Sequence, residues 1–143
     1  MNKITHHLSD QLLIGYSAGS LPEAFNLVVA THLSMCDECR AAAQSFDSIG
    51  GALLHDQPTE DLGDAALANT MALIAKGPKI AAAAPTGNDV PDPLSAYIGG
   101  GLSDVKWRPI GLGVRQAVLK TSRAATARLL YIPAGAAVPD HGH

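Results

Sequence analysis

The stretch HLSMCDEC at residues 32–39 decides how the first half of the chain folds. Within it, His32, Cys36 and Cys39 follow the spacing H-x3-C-x2-C. The two cysteines can reach one ion because the chain between them folds back on itself at the start of a helix, and the histidine falls on the same side. Two thiolates and an imidazole suit Zn²⁺, which prefers four such ligands in a tetrahedron. The pattern therefore predicts a zinc site at a junction between two helices.

The fourth ligand has to come from another part of the chain, and the N-terminal segment offers the neighbouring pair His6 and His7. Four protein ligands would close the site to substrates, so we expect a structural zinc rather than a catalytic one. The helical unit of residues 1–76 is rich in alanine and has a thin apolar core. A structural zinc contributes on the order of 10 kcal/mol of apparent binding energy to folding, enough to stabilise such a unit.

Two other interpretations of Cys36 and Cys39 are open at this stage. A CxxC pair is also the motif of thioredoxin-like redox proteins, but there it follows a strand, whereas here a helix precedes it. The two cysteines can also be buried structural residues that hold no metal. Two cysteines in 143 residues do not make a disulfide framework, so a reducing, cytoplasmic compartment is the default expectation.

The residues around this motif have the periodicity of a bundle of about four helices. The first covers residues 10–18, the second opens with a capping box at 20–23 and runs to about residue 32, the third covers 37–54 and the fourth 64–76. Apolar side chains recur on one face of the last two helices: Ala42, Phe46, Ile49 and Leu53 on the third, and Leu67, Met71 and Ile74 on the fourth.

The chain changes character after residue 76. Residues 77–93 contain four prolines and a Gly-Asn-Asp turn, which is typical of a linker. Short runs rich in β-branched residues follow at 105–110, 114–121 and 126–132, and they predict strands. The sequence thus predicts an α+β protein, with a helical domain over residues 1–76, a linker over 77–93 and the start of a β domain over 94–143.

Composition and charge limit the function. Apolar residues make up 47% and charged residues 16%, which excludes a wholly disordered chain. No apolar run approaches the roughly 18 residues needed to span a bilayer, and the N-terminus has no secretory pattern. Residues 1–76 hold nine acidic and three basic side chains, whereas residues 77–143 hold four and seven. An acidic first half is a poor nucleic-acid binder and favours a basic protein partner, although an ordinary solvated helix surface would carry the same charge.

Residues 135–143 read GAAVPDHGH, which has the spacing G-x5-H-x-H. This resembles the opening of the first motif of cupins, which are jelly-roll proteins. Histidines at i and i+2 on a strand point to the same side, so His141 and His143 can bind one metal. A terminal His-Gly-His can also be an unstructured tail. Because the chain stops there and three strands cannot close a jelly roll, we expect a fragment of a longer protein.

Three stretches read LVVATHLSMCDECR at residues 27–40, VKWRPIGLGVRQ at 105–116 and VPDHGH at 138–143. Together they resemble the zinc-binding anti-sigma factors, and in particular their two-domain, ChrR-like members. The resemblance runs over the whole chain except the linker. It implies a helical domain that binds an extracytoplasmic-function sigma factor, hides it from core RNA polymerase and releases it under photo-oxidative stress.

The resemblance also implies a ligand set. The family's zinc ligands correspond to His32, Cys36 and Cys39, and the upstream ligand corresponds by spacing to His7, with His6 as the alternative. A downstream Glu and a later His complete the family's cupin site, and this chain ends before them, so His141 and His143 would form an incomplete site. We predict a regulatory, non-enzymatic protein that binds a sigma factor. The alternatives are a metal-dependent cupin enzyme and a thiol redox protein that uses its two cysteines.

Overall fold

The computed structural model describes residues 4–77 and 89–136. Within them, five helices precede a three-stranded sheet, in the order α1 (Asp10–Ser17), α2 (Glu23–Met35), α3 (Asp37–His55), α4 (Ala66–Lys76), α5 (Asp92–Ile98), β1 (Arg108–Gly111), β2 (Val114–Val118) and β3 (Arg128–Tyr131). The predicted α+β class is confirmed. No helix of this described part combines the length and hydropathy that a membrane span requires.

Helices α1, α2 and α3 pack around a first core, which we call the bundle core. Leu13, Val29 and Ala43, one from each helix, are its buried centre. The side chains packed around them are Leu8, Leu12, Tyr16, Leu21, Leu33, Ala42 and Phe46. Each helix contributes one apolar stripe, as expected for amphipathic helices. Leu8 precedes α1, so the N-terminal segment is itself packed against the bundle.

Another face of α2 packs against the second half of the chain, in what we call the junction core. Ala24 and Leu27 of α2 are buried together with Leu119 and Ala127, which flank the connection between β2 and β3. The partly buried members of the cluster are Leu94, Tyr97, Ile98, Ala125 and Leu129. Val29 lies on a different side of α2 and packs in the bundle core. Helix α2 therefore contributes residues to both cores.

The sheet is an antiparallel meander in the order β1-β2-β3. Arg108 pairs with Gln116 across β1 and β2, and Ala117 pairs with Leu129 across β2 and β3. Gly111 at the end of β1 and both residues of the β1–β2 turn, Leu112 and Gly113, have positive φ, which the two glycines adopt readily. A jelly roll needs more strands than these, so the cupin assignment stays a prediction.

The predicted capping box of α2 was wrong. The helix begins at Glu23 with Pro22 as its N-cap, and no side chain caps it. The Ser20 hydroxyl instead donates to the Gly15 carbonyl (3.2 Å), near the end of α1. Serine therefore closes the turn between the two helices rather than opening the second one.

Helix α5 was not predicted, and it lies across the end of the predicted linker. Pro91 is its N-cap and Pro93 lies in its first turn. In the sequence these prolines suggest irregular structure, but proline is compatible with the first turn of a helix, where an N–H group has no helical acceptor. The other four helices and the three strands are confirmed, with ends shifted by a few residues.

Part of the predicted apolar face of α3 and the whole predicted face of α4 lie outside both cores. Ile49 and Leu53 continue the stripe of α3, but they are 58% and 63% exposed. Helix α4 has no buried residue, and Leu67, Met71 and Ile74 on its predicted face are 76%, 57% and 67% exposed. Clustered exposed apolar side chains of this kind are typical of an interaction surface.

Candidate metal centre

The chain bends between α2 and α3 at Cys36, and this bend, which we call the elbow, carries three of the predicted ligands. His32 lies in the last turn of α2, Cys36 in the single-residue connection and Cys39 in the first turn of α3. Cys36 has an extended backbone (φ −114°, ψ 106°), which ends one helix and starts the next. Its N–H donates to the His32 carbonyl (2.9 Å), and its carbonyl accepts from the Arg40 N–H (3.1 Å). The elbow therefore satisfies its own backbone groups while it brings the three side chains together.

Arg40 fastens the two helices to each other at this elbow. Its Nε donates to the Leu33 carbonyl (2.9 Å) and its Nη2 to the Ser34 carbonyl (3.3 Å), at the end of α2 where carbonyls lack helical donors. Its Nη1 donates to Asp37 Oδ1 (2.9 Å) in the first turn of α3. One guanidinium thus bridges the end of α2 and the start of α3.

The N-terminal segment supplies the fourth donor. Leu8 packs in the bundle core and its N–H donates to Cys39 Sγ (3.4 Å), which anchors the segment beside the elbow. His7 joins the cluster as a result, although it is itself exposed, whereas the exposed His6 lies outside the cluster. The donors brought together are, in chain order, His7, His32, Cys36 and Cys39.

The spacing of these donors fits a metal ion. All four donor atoms lie within 4.8 Å of one another. His7 Nδ1 is 3.4 Å from Cys36 Sγ and 3.5 Å from Cys39 Sγ, and His32 Nε2 is 3.3 Å from Cys39 Sγ. With zinc bonds of about 2.3 Å to sulfur and 2.0–2.1 Å to nitrogen, the N–S edge of a tetrahedron is about 3.6 Å. The site therefore has the size and the donor set of a Cys2His2 metal centre.

Burial makes the sulfur ligands depend on a cation. Cys36 and Cys39 are 4% and 2% exposed. Burial raises the pKa of the Cys39 thiol, and the Cys36 sulfur and Glu38 carboxylate raise it further, whereas the Leu8 N–H lowers it. A thiol in this environment stays neutral without a metal, and a divalent cation at the centre stabilises the thiolate that binds it.

Glu38 lies on the outer side of the cluster. Its Oε2 is 3.4 Å from His7 Nε2, the ring nitrogen that faces away from the sulfurs. A carboxylate in this position favours the tautomer whose Nδ1 lone pair points toward a metal. Sequence reasoning missed both Glu38 and Arg40, although their positions on either side of Cys39 were a signal that could have found them.

The two thiols are free, and their surroundings favour metal binding over disulfide exchange. Reactive CxxC cysteines are partly exposed and have a lowered pKa. Cys39 is buried and has a raised pKa, which argues against the thiol redox alternative. The predicted cupin ligands His141 and His143 lie outside the described residues, so their role stays a prediction.

An apolar groove of about 540 Å³ lies between α1 and α3, on the same bundle. Its apolar walls include Ile14, Phe46, Ile49 and Leu53, and Asp47 lies at its edge. The sequence predicted that Phe46, Ile49 and Leu53 share a face of α3. It did not indicate that Ile49 and Leu53 are left exposed, because periodicity does not say what covers a face.

The described fold thus brings together two cysteines and two histidines in a set that could hold a metal ion. No protein-family model matches the chain. The chain is 52% identical over 141 residues to the anti-sigma-E factor ChrR of Cereibacter sphaeroides, covering 98% of this chain and 66% of that protein's length. The crystal structure of Rhodobacter sphaeroides SigE in complex with the anti-sigma ChrR matches with a TM-score of 0.81 and 51% identity, over 99% of this chain and 72% of that chain. The chain therefore belongs to the ChrR family of anti-sigma factors, which are regulatory proteins.

Proposed function

We propose that the chain binds and sequesters an extracytoplasmic-function sigma factor and so keeps it from core RNA polymerase. The observation that carries this proposal is the likeness, at a TM-score of 0.81, to ChrR in a complex with SigE. Sequestration is a stoichiometric binding activity, so in this proposal the protein acts as a regulator and not as an enzyme. We propose the cytoplasm as its location, because core RNA polymerase acts there.

The proposed binding surface has two parts. One is the groove between α1 and α3, and the other is the face of α4 that carries Leu67, Met71 and Ile74. Burial of apolar surface contributes roughly 25 cal/mol per Å², so a few large side chains covered by a partner supply most of the affinity of an ordinary complex. The exposure of Ile49, Leu53 and the α4 residues supports a role in binding, since in the described part of the chain these side chains lie outside both cores.

Acidic side chains flank this proposed surface. Asp47 borders the groove, and the connection from α3 to α4 exposes four more acidic residues: Asp56, Glu60, Asp61 and Asp64. Complementary charge speeds association and selects among partners. A sigma factor, with basic surfaces for DNA and polymerase, fits such a surface, whereas a nucleic acid does not.

We propose Zn²⁺ as the metal of the cluster, held by His7, His32, Cys36 and Cys39. Zinc supplies a cross-link between the N-terminal segment and the elbow, and four protein ligands leave no position for a substrate. The buried thiols and the N–S separations near the edge of a zinc tetrahedron support this choice. Zinc would thereby fix the arrangement of α1, α2 and α3 that forms the groove.

We also propose that the second half of the chain is the beginning of a cupin-like domain. In this proposal a helical domain over residues 1–76 and a linker over 77–93 precede the start of a cupin-like domain over 94–143, and an oxidative or photo-oxidative stress releases the sigma factor. His141 and His143 would be the first ligands of a metal site in that domain. The junction core supports a connection between the halves, because residues of both are buried in it.

A pull-down tests the proposed function. The zinc-loaded chain is immobilised, a lysate of the source organism is passed over it, and bound proteins are identified by mass spectrometry. We expect one extracytoplasmic-function sigma factor at near one-to-one stoichiometry. Cys36→Ser should lose it, and the matched control His6→Ala should keep it. A folded, zinc-loaded wild-type chain that captures no sigma factor would contradict the proposal.

A further inference from the structure

A single side chain in the first turn of α2, Glu23, is fastened to the second half of the chain. Its Oε1 accepts a hydrogen bond from Tyr97 Oη of α5 (2.8 Å). Its Oε2 accepts a second one from the Ser122 N–H (2.6 Å), in the connection between β2 and β3. The two partners are 74 and 99 residues away along the chain. Both oxygens of one carboxylate therefore bind groups of the second half.

The connection between β2 and β3 holds Ser122 in place for this contact. The Thr121 hydroxyl donates to the Ala125 carbonyl (2.9 Å), and the Leu119 N–H donates to the Ala127 carbonyl (2.9 Å). Leu119 and Ala127 are buried in the junction core against Ala24 and Leu27, so the polar contact of Glu23 lies beside an apolar one. These two hydrogen bonds hold the ends of the connection together, and the Ser122 N–H is left to bind Glu23 of α2.

Helix α2 connects this contact to the metal centre. Glu23 and His32 are at opposite ends of the same helix, about 14 Å apart at 1.5 Å per residue. Between them, Val29 packs in the bundle core and Leu27 in the junction core. Helix α2 is therefore the element along which a displacement of its first turn would reach the elbow that carries the metal ligands.

We infer that Glu23 is a latch that couples the second half of the chain to the metal-binding bundle. While both hydrogen bonds are made, α2, α5 and the β2–β3 connection move as one body. A change in the second half that withdraws Tyr97 or Ser122 leaves a carboxylate oxygen without its partner and releases the first turn of α2. The latch does not depend on which partner the bundle binds.

Hydrogen–deuterium exchange on the full, zinc-loaded chain tests the latch. Glu23→Gln keeps the shape of the side chain but has only one acceptor oxygen, and Asp10→Asn is the matched control, an exposed acidic residue in the first turn of α1. We expect Glu23→Gln to speed exchange of the Ser122 amide by about tenfold, because hydrogen bonds to charged groups are the stronger ones. Asp10→Asn should leave this rate unchanged.

Three outcomes decide the matter. Faster exchange at Ser122 in Glu23→Gln alone, with the Val29 and Ala43 amides still protected, supports the latch. An unchanged rate at Ser122 overturns it. Equal acceleration in Asp10→Asn also overturns it, because the effect would then follow from charge at a helix end.

Thermal unfolding gives a second readout. Trp107 is the only tryptophan and lies in the second half, so its fluorescence follows that half while far-UV circular dichroism follows the helices. In the wild type the two transitions should coincide, and in Glu23→Ala the tryptophan transition should come first. Coincident transitions in Glu23→Ala, or separate ones in the wild type, would contradict the coupling.

Discussion

Val29 and Met71 are both apolar residues on amphipathic helices, but their surroundings differ. Val29 is 1% exposed and packs against residues of α1 and α3, whereas Met71 is 57% exposed on a helix that has no buried residue. The same periodicity thus produces a core in one region and an open face in the other. An apolar stripe that its own chain covers stabilises the fold, and one that it leaves uncovered is available to a partner.

The metal centre belongs to the covered region. Leu13, Val29 and Ala43 make a small core, and the cluster of two cysteines and two histidines lies where α2, α3 and the N-terminal segment meet. A metal bound there would add stability that a core of this size lacks.

Loss of a metal ligand should have the largest effect. Cys39→Ser removes a thiolate, so metal content and the fold of α1, α2 and α3 should be lost together, since structural zinc contributes on the order of 10 kcal/mol. Elemental analysis and far-UV circular dichroism measure the two losses. His7→Ala and His6→Ala are a matched pair, of which only the first should lose metal. Metal loss in His6→Ala with retention in His7→Ala would contradict the ligand set.

Truncation in the bundle core should have the next largest effect. Leu13→Ala leaves a cavity at a fully buried site and should cost about 2–5 kcal/mol of the free energy of unfolding. Leu67→Ala on α4 makes the same chemical change at an exposed position and should cost no more than about 0.5 kcal/mol. Denaturant titration measures both. Equal losses would mean that α4 is part of the core after all.

A smaller effect is expected at the elbow. Arg40→Met removes the donors that hold the Leu33 and Ser34 carbonyls, so the metal should leave about tenfold faster. Arg40→Lys should release the metal at an intermediate rate, because an ammonium lacks the planar fork of the guanidinium. Competition with a chromogenic chelator measures the rate. Metal release from Arg40→Met at the wild-type rate would rule out this role.

The smallest effect is on pH dependence at the junction. The hydrogen bond to Glu23 raises the pKa of Tyr97 above its ordinary value of 10.0. The contribution of this hydrogen bond to stability is therefore fully present below pH 10.0. It is lost as the pH rises through the raised pKa of Tyr97 in the folded state. Thermal melts of wild type and Tyr97→Phe should differ most below that pH and converge above it. A difference that stays constant with pH would disprove the linkage.

The sequence predicted most of what is local. The spacing of His32, Cys36 and Cys39 indicated one site because ligands at short spacing on a helical elbow are brought together by the backbone alone. The resemblance selected His7 over His6 by its spacing to His32, whereas in the structure His7 joins the cluster because Leu8 packs in the bundle core and its N–H contacts Cys39.

Features that join distant parts of the chain could not be predicted. Tyr97 and Ser122 bind Glu23 over 74 and 99 residues, and no local pattern marks such a pair. Periodicity identified the apolar faces of α3 and α4 but not their exposure, because what covers a face is decided by tertiary packing. Helix α5 was missed for a different reason, namely prolines that the first turn of a helix tolerates.

The most direct test of the central claim is a calorimetric titration with the purified extracytoplasmic-function sigma factor of the source organism. The titrated proteins are the wild type, the double variant Leu67→Ser/Met71→Ser and Leu112→Ser, a control at an exposed leucine in the β1–β2 turn. We predict one-to-one binding by the wild type and by the control. The double variant should bind on the order of a hundredfold more weakly with an unchanged melting temperature. If it bound the sigma factor as tightly as the wild type, the uncovered face of α4 would not be the binding surface.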